Sequence, residues 1–162
     1  VAGTPELIRA EMDDQARFGE LLDATIPEGW PPEDVGEATM EFMAQWLEEG
    51  PEQAGWWCWY FVLKDAAAGE RVLIGNGGFK GRPSRQGTVE VGYAIHPSFR
   101  ESGYATEAVK ALVGWAFRQP RVERVVAETE PGNRRSRRVL EKAGFVRKGR
   151  ASQSDLIRFE IG

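Results

Sequence analysis

The stretch TVEVGYAIHPSFRESGYATEAVKALVGWAF, residues 88–117, constrains this chain more than any other. Residues 88–95 are rich in β-branched and aromatic side chains, which predicts a buried strand. His96-Pro97 ends it, because proline has no N–H to give to a sheet ladder. From about Gly103 the residues Ala105, Ala108, Val109, Leu112, Val113, Ala116 and Phe117 recur at helical spacing, so a helix with one buried face follows. Between them, Gly103 lets the backbone turn tightly and approach a ligand closely. The helix start adds unpaired N–H groups and the positive end of its dipole, the elements of a phosphate or pyrophosphate site. An ordinary strand–helix connection with a glycine reads the same way on these residues alone.

The same periodicities give the other elements. Residues 6–12 alternate loosely (Leu7, Ile8, Ala10, Met12) and predict a first strand. Asp13-Asp14 offers an N-cap for a helix over 15–24 that buries Phe18, Leu21 and Leu22. Pro27, Pro31 and Pro32 mark a loop, and a second helix is expected over 33–48 with Val35, Met40, Phe42, Met43, Trp46 and Leu47 as its apolar positions. WWCWYFVLK, residues 56–64, is apolar on both faces and predicts a central strand. A turn over 66–70 joins it to a strand over 71–79 as a hairpin. A strand over 122–129, a helix over 134–143 ended by Gly144, and a hairpin of 145–150 with 154–161 complete the series. The fold class expected is α/β (α+β), a mixed and mostly antiparallel sheet of about seven strands flanked by about four helices. No repeat, low-complexity stretch or linker interrupts it, so a single domain over 1–162 is expected.

One cysteine, Cys58, excludes an internal disulfide or a cysteine-rich zinc site, and one histidine, His96, excludes a multi-histidine centre, so no metal is expected. No apolar run reaches the length of a membrane span, and the first residues lack a basic-then-apolar leader pattern, so a cytoplasmic location without a membrane partner is expected. The net charge of −4 conceals an asymmetry: residues 1–70 carry 16 acidic and 3 basic side chains, whereas residues 71–162 carry 9 and 18. An anionic ligand suits the second half and a cationic one the first, although solvated surface charge reads the same way. The acidic total disfavours nucleic acid as a main partner.

Two motifs stand in order on the expected elements: VEVGYAIHPSFRESGYATEA and AETEPGNRRSRRVLEKAGF. Together they resemble the GNAT superfamily of acetyl-CoA-dependent N-acetyltransferases, closest to the branch of ribosomal-protein N-terminal (alanine/serine) acetyltransferases. The resemblance implies the family's fold and a direct transfer of acetyl from coenzyme A to a primary amine. It implies that the loop Arg100, Glu101, Ser102, Gly103, Tyr104, Ala105 and Thr106 holds the coenzyme pyrophosphate. It implies that Ala94, Ile95 and His96 splay from a neighbouring strand and pair with the pantetheine arm through free backbone groups. Asn133 matches the family asparagine of the pantetheine region. Arg134, Arg135, Arg137 and Arg138 offer charge for the adenosine phosphates, or form a solvated basic face.

The amine must lose a proton, the oxyanion needs donors such as a strand N–H near Ile95 or His96, and the leaving thiolate needs a proton. In the VEVGY context Glu90 is the expected base, directly or through water, with a salt-bridged surface glutamate as the alternative reading. The tyrosine that many family members place four residues before the glycine of the GF pair is Leu140 here. The ribosomal branch implies Ser136 as the acid instead. Histidine as a residue type suits proton transfer, which makes the His96 ring a candidate, but its backbone is expected to matter more. Tyr93 and Tyr104 can reach the site or simply pack, and Trp30, Trp56, Trp57 and Trp59 can line an acceptor pocket or fill the core.

The expected partners are acetyl-CoA and an amine acceptor, a peptide N-terminus or a small cationic amine drawn by Glu28, Glu33, Asp34, Glu37 and Glu41. Dimers are common in the resembling branch, which leaves room for a homodimer. A non-catalytic acyl-CoA-binding or sensing domain is the alternative that Leu140 keeps open. A nucleotide-binding module is disfavoured, because neither GxxxxGK[ST] nor a full GxGxxG is present.

Overall fold

Residues Thr4-Pro5-Glu6 open a helix where a strand was expected. Thr4 Oγ1 accepts from Leu7 N at 3.1 Å, and Pro5 occupies the first turn, where its missing N–H costs nothing. The computed structural model describes residues 1–65, 68–151 and 154–162. Residues 66 and 67 of the expected turn over 66–70 lie outside them. The chain divides into two compact units, Val1–Gly78 with Ala94–Phe99, and Phe79–Tyr93 with Arg100–Gly162.

In the first unit, α1 (Pro5–Asp13) and α2 (Gln15–Leu22) meet at Asp14, whose Oδ1 accepts from Arg17 N at 3.0 Å and caps α2. The loose alternation of residues 6–12 is one helical face: Leu7, Ile8 and Ala10 are buried. Leu7, Ala10, Phe18, Leu22, Tyr60 and Leu73 form one cluster, and Ile8, Ala44 and Leu47 a second. The second involves α3 (Glu37–Glu49), which buries only Ala44 and Leu47. Phe42 and Trp46, expected inside, are 46% and 39% exposed.

Strand β1 (Trp59–Lys64) pairs antiparallel with β2 (Arg71–Phe79), with a register shift at Phe61/Val62. Its expected central position is not observed, since β1 stands first in the strand order. Its other edge is nevertheless covered: Tyr60 N donates to Val1 O at 2.7 Å, and Gly3 N to Cys58 O at 2.8 Å. This pairing keeps the edge of β1 from standing open.

The second unit is built on β3 (Thr88–Ile95), whose last two residues belong to the first unit. Helix α4 (Tyr104–Phe117) buries Val109, Leu112, Val113 and Ala116, while Phe117 is exposed. Strand β4 (Arg124–Thr129) follows, then α5 (Arg134–Lys142), β5 (Val146–Arg150) and β6 (Ile157–Ile161). Gly144, at φ +98°, ends α5 in the left-handed region as expected, and Phe145 N donates to Leu140 O at 3.0 Å.

Six strands run in the order β1-β2-β3-β4-β6-β5 in an open, mostly antiparallel sheet whose β3–β4 pair is parallel. Six strands and five α-helices among the described residues replace the seven and four expected, and α1 accounts for the difference. No helix among the described residues is long and apolar enough to cross a membrane.

Candidate active site

The geometry of β3 decides what this region can do. Its pairing with β4 covers Thr88, Val89 and Glu90, opposite Arg124, Val125 and Val126. Beyond Val126, β4 continues to Thr129 in pairing with β6, but β3 no longer follows it. Parallel strands that part in mid-sheet leave backbone donors and acceptors without a ladder partner, which an extended ligand can take up.

Within the second unit, α4 begins at Gly103, in the left-handed region at φ +82° with no side-chain cap. A Cβ there would meet nothing within 4 Å, so the glycine serves backbone conformation. The first intrahelical bond is Glu107 N to Gly103 O at 3.1 Å. The N–H groups of Tyr104, Ala105 and Thr106 therefore have no intrahelical acceptor. Glu101 is also left-handed, at φ +63°, and Ser102 Oγ turns back on Arg100 O at 3.4 Å. Loop 100–106 thus presents a row of N–H groups at a positive helix end, suited to a pyrophosphate.

Asn133 is the N-cap of α5: its Oδ1 accepts from Ser136 N at 3.0 Å. Ser136, one turn along, meets Tyr93. The Tyr93 hydroxyl lies 3.1 Å from Ser136 Oγ and donates to Ser136 O at 3.3 Å. Burial raises the Tyr93 phenol above the ordinary tyrosine value, and the bond to Ser136 offsets part of this. At neutral pH it is an uncharged O–H donor. The family resemblance singled out Ser136 as a candidate acid and left Tyr93 between packing and function. No local pattern links residues 43 positions apart.

Glu90 lies at the last paired position of β3, half-buried, and its carboxylate is ion-paired with the Lys80 ammonium. Lys80 N also donates to Glu90 O at 3.0 Å. The salt-bridged alternative therefore describes Glu90 at rest. A proton-accepting role uses the oxygen that Lys80 leaves, or a water relay.

In the first unit, His96 departs from expectation. Its backbone is not free: the N–H donates to Ile74 O at 2.8 Å and the carbonyl accepts from Phe99 N at 2.9 Å. The ring is used as well. Nδ1 accepts from Ser98 N at 3.3 Å, which leaves Nε2 to donate to Glu28 O at 2.9 Å. A ring with both nitrogens engaged is a latch on the 28–29 loop rather than a base. Ala94 and Ile95 sit against Gly75, where a Cβ would lie 2.5 Å from Ala94 O and 2.8 Å from Ile95 Cδ1.

The first unit also holds a buried polar cluster that the sequence did not suggest. Glu11 accepts from Tyr60 Oη at 2.6 Å and from Trp30 Nε1 at 2.7 Å. Burial raises the Glu11 carboxyl, and the two bonds offset part of the shift. Burial, with the Glu11 charge adding to it, pushes the Cys58 thiol up to about 12. Trp56 is core, at 5% exposure. Among the described residues no group of His, Cys, Asp and Glu is placed to hold a metal ion.

Known proteins resemble this chain in sequence and in fold. The acetyltransferase (GNAT) domain model matches residues 6–146. An uncharacterized N-acetyltransferase of Bacillus subtilis (strain 168), YjdG, is 34% identical over 142 residues, covering 88% of this chain and 81% of the relative. The ribosomal-protein-S5-alanine acetyltransferase of Vibrio fischeri aligns with a TM-score of 0.60 at 18% identity, over 96% of this chain and 85% of that one. The spermidine N-acetyltransferase of Vibrio cholerae, solved in complex with CoA and spermine, aligns with a TM-score of 0.60 at 18% identity, over 80% and 78%. These two structures speak for the fold alone. The chain belongs to the GNAT family of acetyltransferases and is an N-acetyltransferase.

Proposed function

We propose that this enzyme moves acetyl from acetyl-CoA to the primary amine of a cationic acceptor, a peptide N-terminus or a small polyamine-like base. The observation that carries the reading is the Tyr93–Ser136 pair, beside the point where β3 ceases to follow β4. Acetyl-CoA supplies an activated thioester carbonyl. Its pyrophosphate suits the N–H groups of Tyr104, Ala105 and Thr106, with Arg100, Glu101, Ser102 and Gly103 shaping the turn. Its pantetheine suits residues 91–93 of β3, which β4 no longer pairs with.

The amine nitrogen attacks the carbonyl carbon, forming C–N. Glu90, directly or through water, takes the amine proton. Collapse breaks C–S, and the departing sulfur receives its proton from the Ser136 hydroxyl, which Tyr93 resupplies when its O–H turns from Ser136 O to Ser136 Oγ. A neutral phenol held by burial is the right reservoir, since a phenolate has no proton to give. Tyr93 thus answers the absence of a tyrosine at position 140, where Leu140 is buried in the core.

Charge supports the acceptor class. Residues 1–70 carry 16 acidic and 3 basic side chains. Glu28, Glu33 and Glu37 are exposed, whereas Asp34 is bonded to Gly36 N at 2.8 Å and Glu41 is paired with Arg9 at 3.4 Å, so the first three carry the steering. The decisive experiment is thiol release from acetyl-CoA across a panel of peptides, polyamines, aminoglycosides and amino acids. Turnover with a cationic amine is expected. Coenzyme binding with no turnover on any amine would replace the reading with an acyl-CoA sensor. Turnover on cationic amines that is indifferent to charge reversal at Glu28, Glu33 and Glu37 would remove the steering.

A further inference from the structure

Glu90 is the group proposed to take a proton from an amine, and in the resting fold it already holds an amine. The Lys80 ammonium is ion-paired with its carboxylate, and Lys80 N donates to Glu90 O at 3.0 Å, so side chain and backbone both tie the two residues together. Lys80 follows directly on β2, and Glu90 is the last residue of β3 that β4 pairs with. Both belong to the second unit, as do Tyr93, Ser136 and the start of α4. The Lys80 side chain is 67% exposed and that of Glu90 26%, so the amine is open to a ligand while the carboxylate is partly sheltered. A primary amine held on the proton-accepting carboxylate is the arrangement that the reaction requires of its acceptor. Lys80 therefore stands where an acceptor amine must stand.

We propose that Lys80 is an internal acetyl acceptor, which the enzyme acetylates from its own acetyl-CoA and thereby frees Glu90. The proposal rests on the acetyl-transfer reading above and goes beyond it, because it adds a modified residue and a slower resting form. The Lys80 ammonium gives one proton to Glu90, and the Nζ lone pair attacks the carbonyl carbon. C–N forms and C–S breaks. The sulfur takes a proton through Ser136, and the second nitrogen proton replaces it by way of water. Ammonium and thioester become amide, thiol and one free proton, with no other reactant. The acetyl group removes the lysine charge, so the ion pair ends. An exposed ion pair is weak, so its loss should raise turnover on an external amine about two- to fivefold.

The test follows acetylation with no amine added. The protein, first treated with a lysine deacetylase, is incubated with acetyl-CoA, and its lysines are quantified by peptide mass spectrometry. The exposed Lys64, Lys110, Lys142 and Lys148 are the controls for spontaneous acetylation. Lys80 should be acetylated at least about tenfold faster than any of them, with a rate constant independent of enzyme concentration. Glu90→Gln should slow Lys80 by roughly 10²-fold and leave the control lysines unchanged. Turnover of the acetylated wild type with the best external amine should rise about two- to fivefold, and Lys80→Gln should match it without incubation. Lys80→Arg keeps the charge pair but accepts no acetyl, so its turnover should not rise on incubation. Acetylation of Lys80 no faster than the controls, undiminished by Glu90→Gln, or quickening with enzyme concentration would overturn the proposal. Turnover on external amines would then leave the acetyl-transfer reading standing. Turnover that stays level or falls as Lys80 is acetylated would overturn the freeing of Glu90. Failure to acetylate any amine, Lys80 included, would overturn the acetyl-transfer reading, and this proposal with it.

Discussion

Replacing Tyr93 by Phe removes one oxygen atom and tests the proposed chemistry directly. The hydroxyl makes two contacts, at 3.1 Å to Ser136 Oγ and 3.3 Å to Ser136 O. Their loss costs about 0.5–1.5 kcal/mol of stability, so the variant stays folded at assay temperature. Loss of a positioned proton donor costs roughly 10²–10⁴-fold in rate, about 2.7–5.5 kcal/mol on the barrier. The second effect exceeds the first, so activity and stability separate cleanly. The assay is thiol release at saturating acetyl-CoA with the best amine, beside calorimetric affinity for CoA. kcat should fall at least about 10²-fold while CoA affinity moves less than about threefold. Ser136→Ala should fall by a similar factor, and the double variant no further, because members of one relay are not additive. The raised phenol adds a pH signature. In the wild type the alkaline decline of kcat should begin above the ordinary tyrosine range near 10, and this limb should be absent from Tyr93→Phe. A variant within about threefold of wild-type kcat, or a double variant with multiplied losses, would refute the relay.

Glu90→Gln should lower turnover by roughly 10²-fold and leave acetyl-CoA affinity nearly unchanged, and unaltered turnover would take Glu90 out of the mechanism. Gly75→Ala drives a Cβ toward Ala94 O and Ile95 Cδ1, so urea denaturation should show a loss of about 1–3 kcal/mol, with weaker CoA binding in calorimetry. Glu11→Ala removes the carboxylate acceptor of the fully buried Tyr60 hydroxyl and leaves it only the Cys58 thiol, at a cost of about 1–3 kcal/mol, read as a lowered urea midpoint. Because burial raises the folded-state pKa of Glu11, its contribution is fully present below the ordinary carboxylate value and is lost as pH rises through the raised one. The wild-type stability curve should bend downward there, and the Glu11→Ala curve should not.

The parts legible in the sequence are those whose cause is local. The strand at Thr88–Ile95, the glycine turn at Gly103 and the stop at Gly144 follow from propensity, left-handed backbone and periodicity. Residues 6–12 were misread because one helical face with apolar positions at 7, 8, 10 and 12 also satisfies a loose alternation. The cap at Thr4 and the proline after it held the deciding signal. β1 read as central because its apolar faces do not reveal that residues 1–3 cover its edge. His96 was expected to offer free backbone groups, but partners at Ile74 and Phe99 take both. Tyr93 with Ser136, and Glu11 with Tyr60 and Trp30, join distant residues that only the fold brings together.

The environment of Cys58 has a practical consequence. It is the only thiol in the chain, and at about 12 its pKa leaves it protonated. At pH 8 it carries far less thiolate than an ordinary cysteine does. Disulfide reagents react with thiolates, so colour in a thiol-release assay reports liberated coenzyme rather than the enzyme itself. The protein therefore provides its own low background, and even slow acceptors can be ranked with an inexpensive plate-reader measurement.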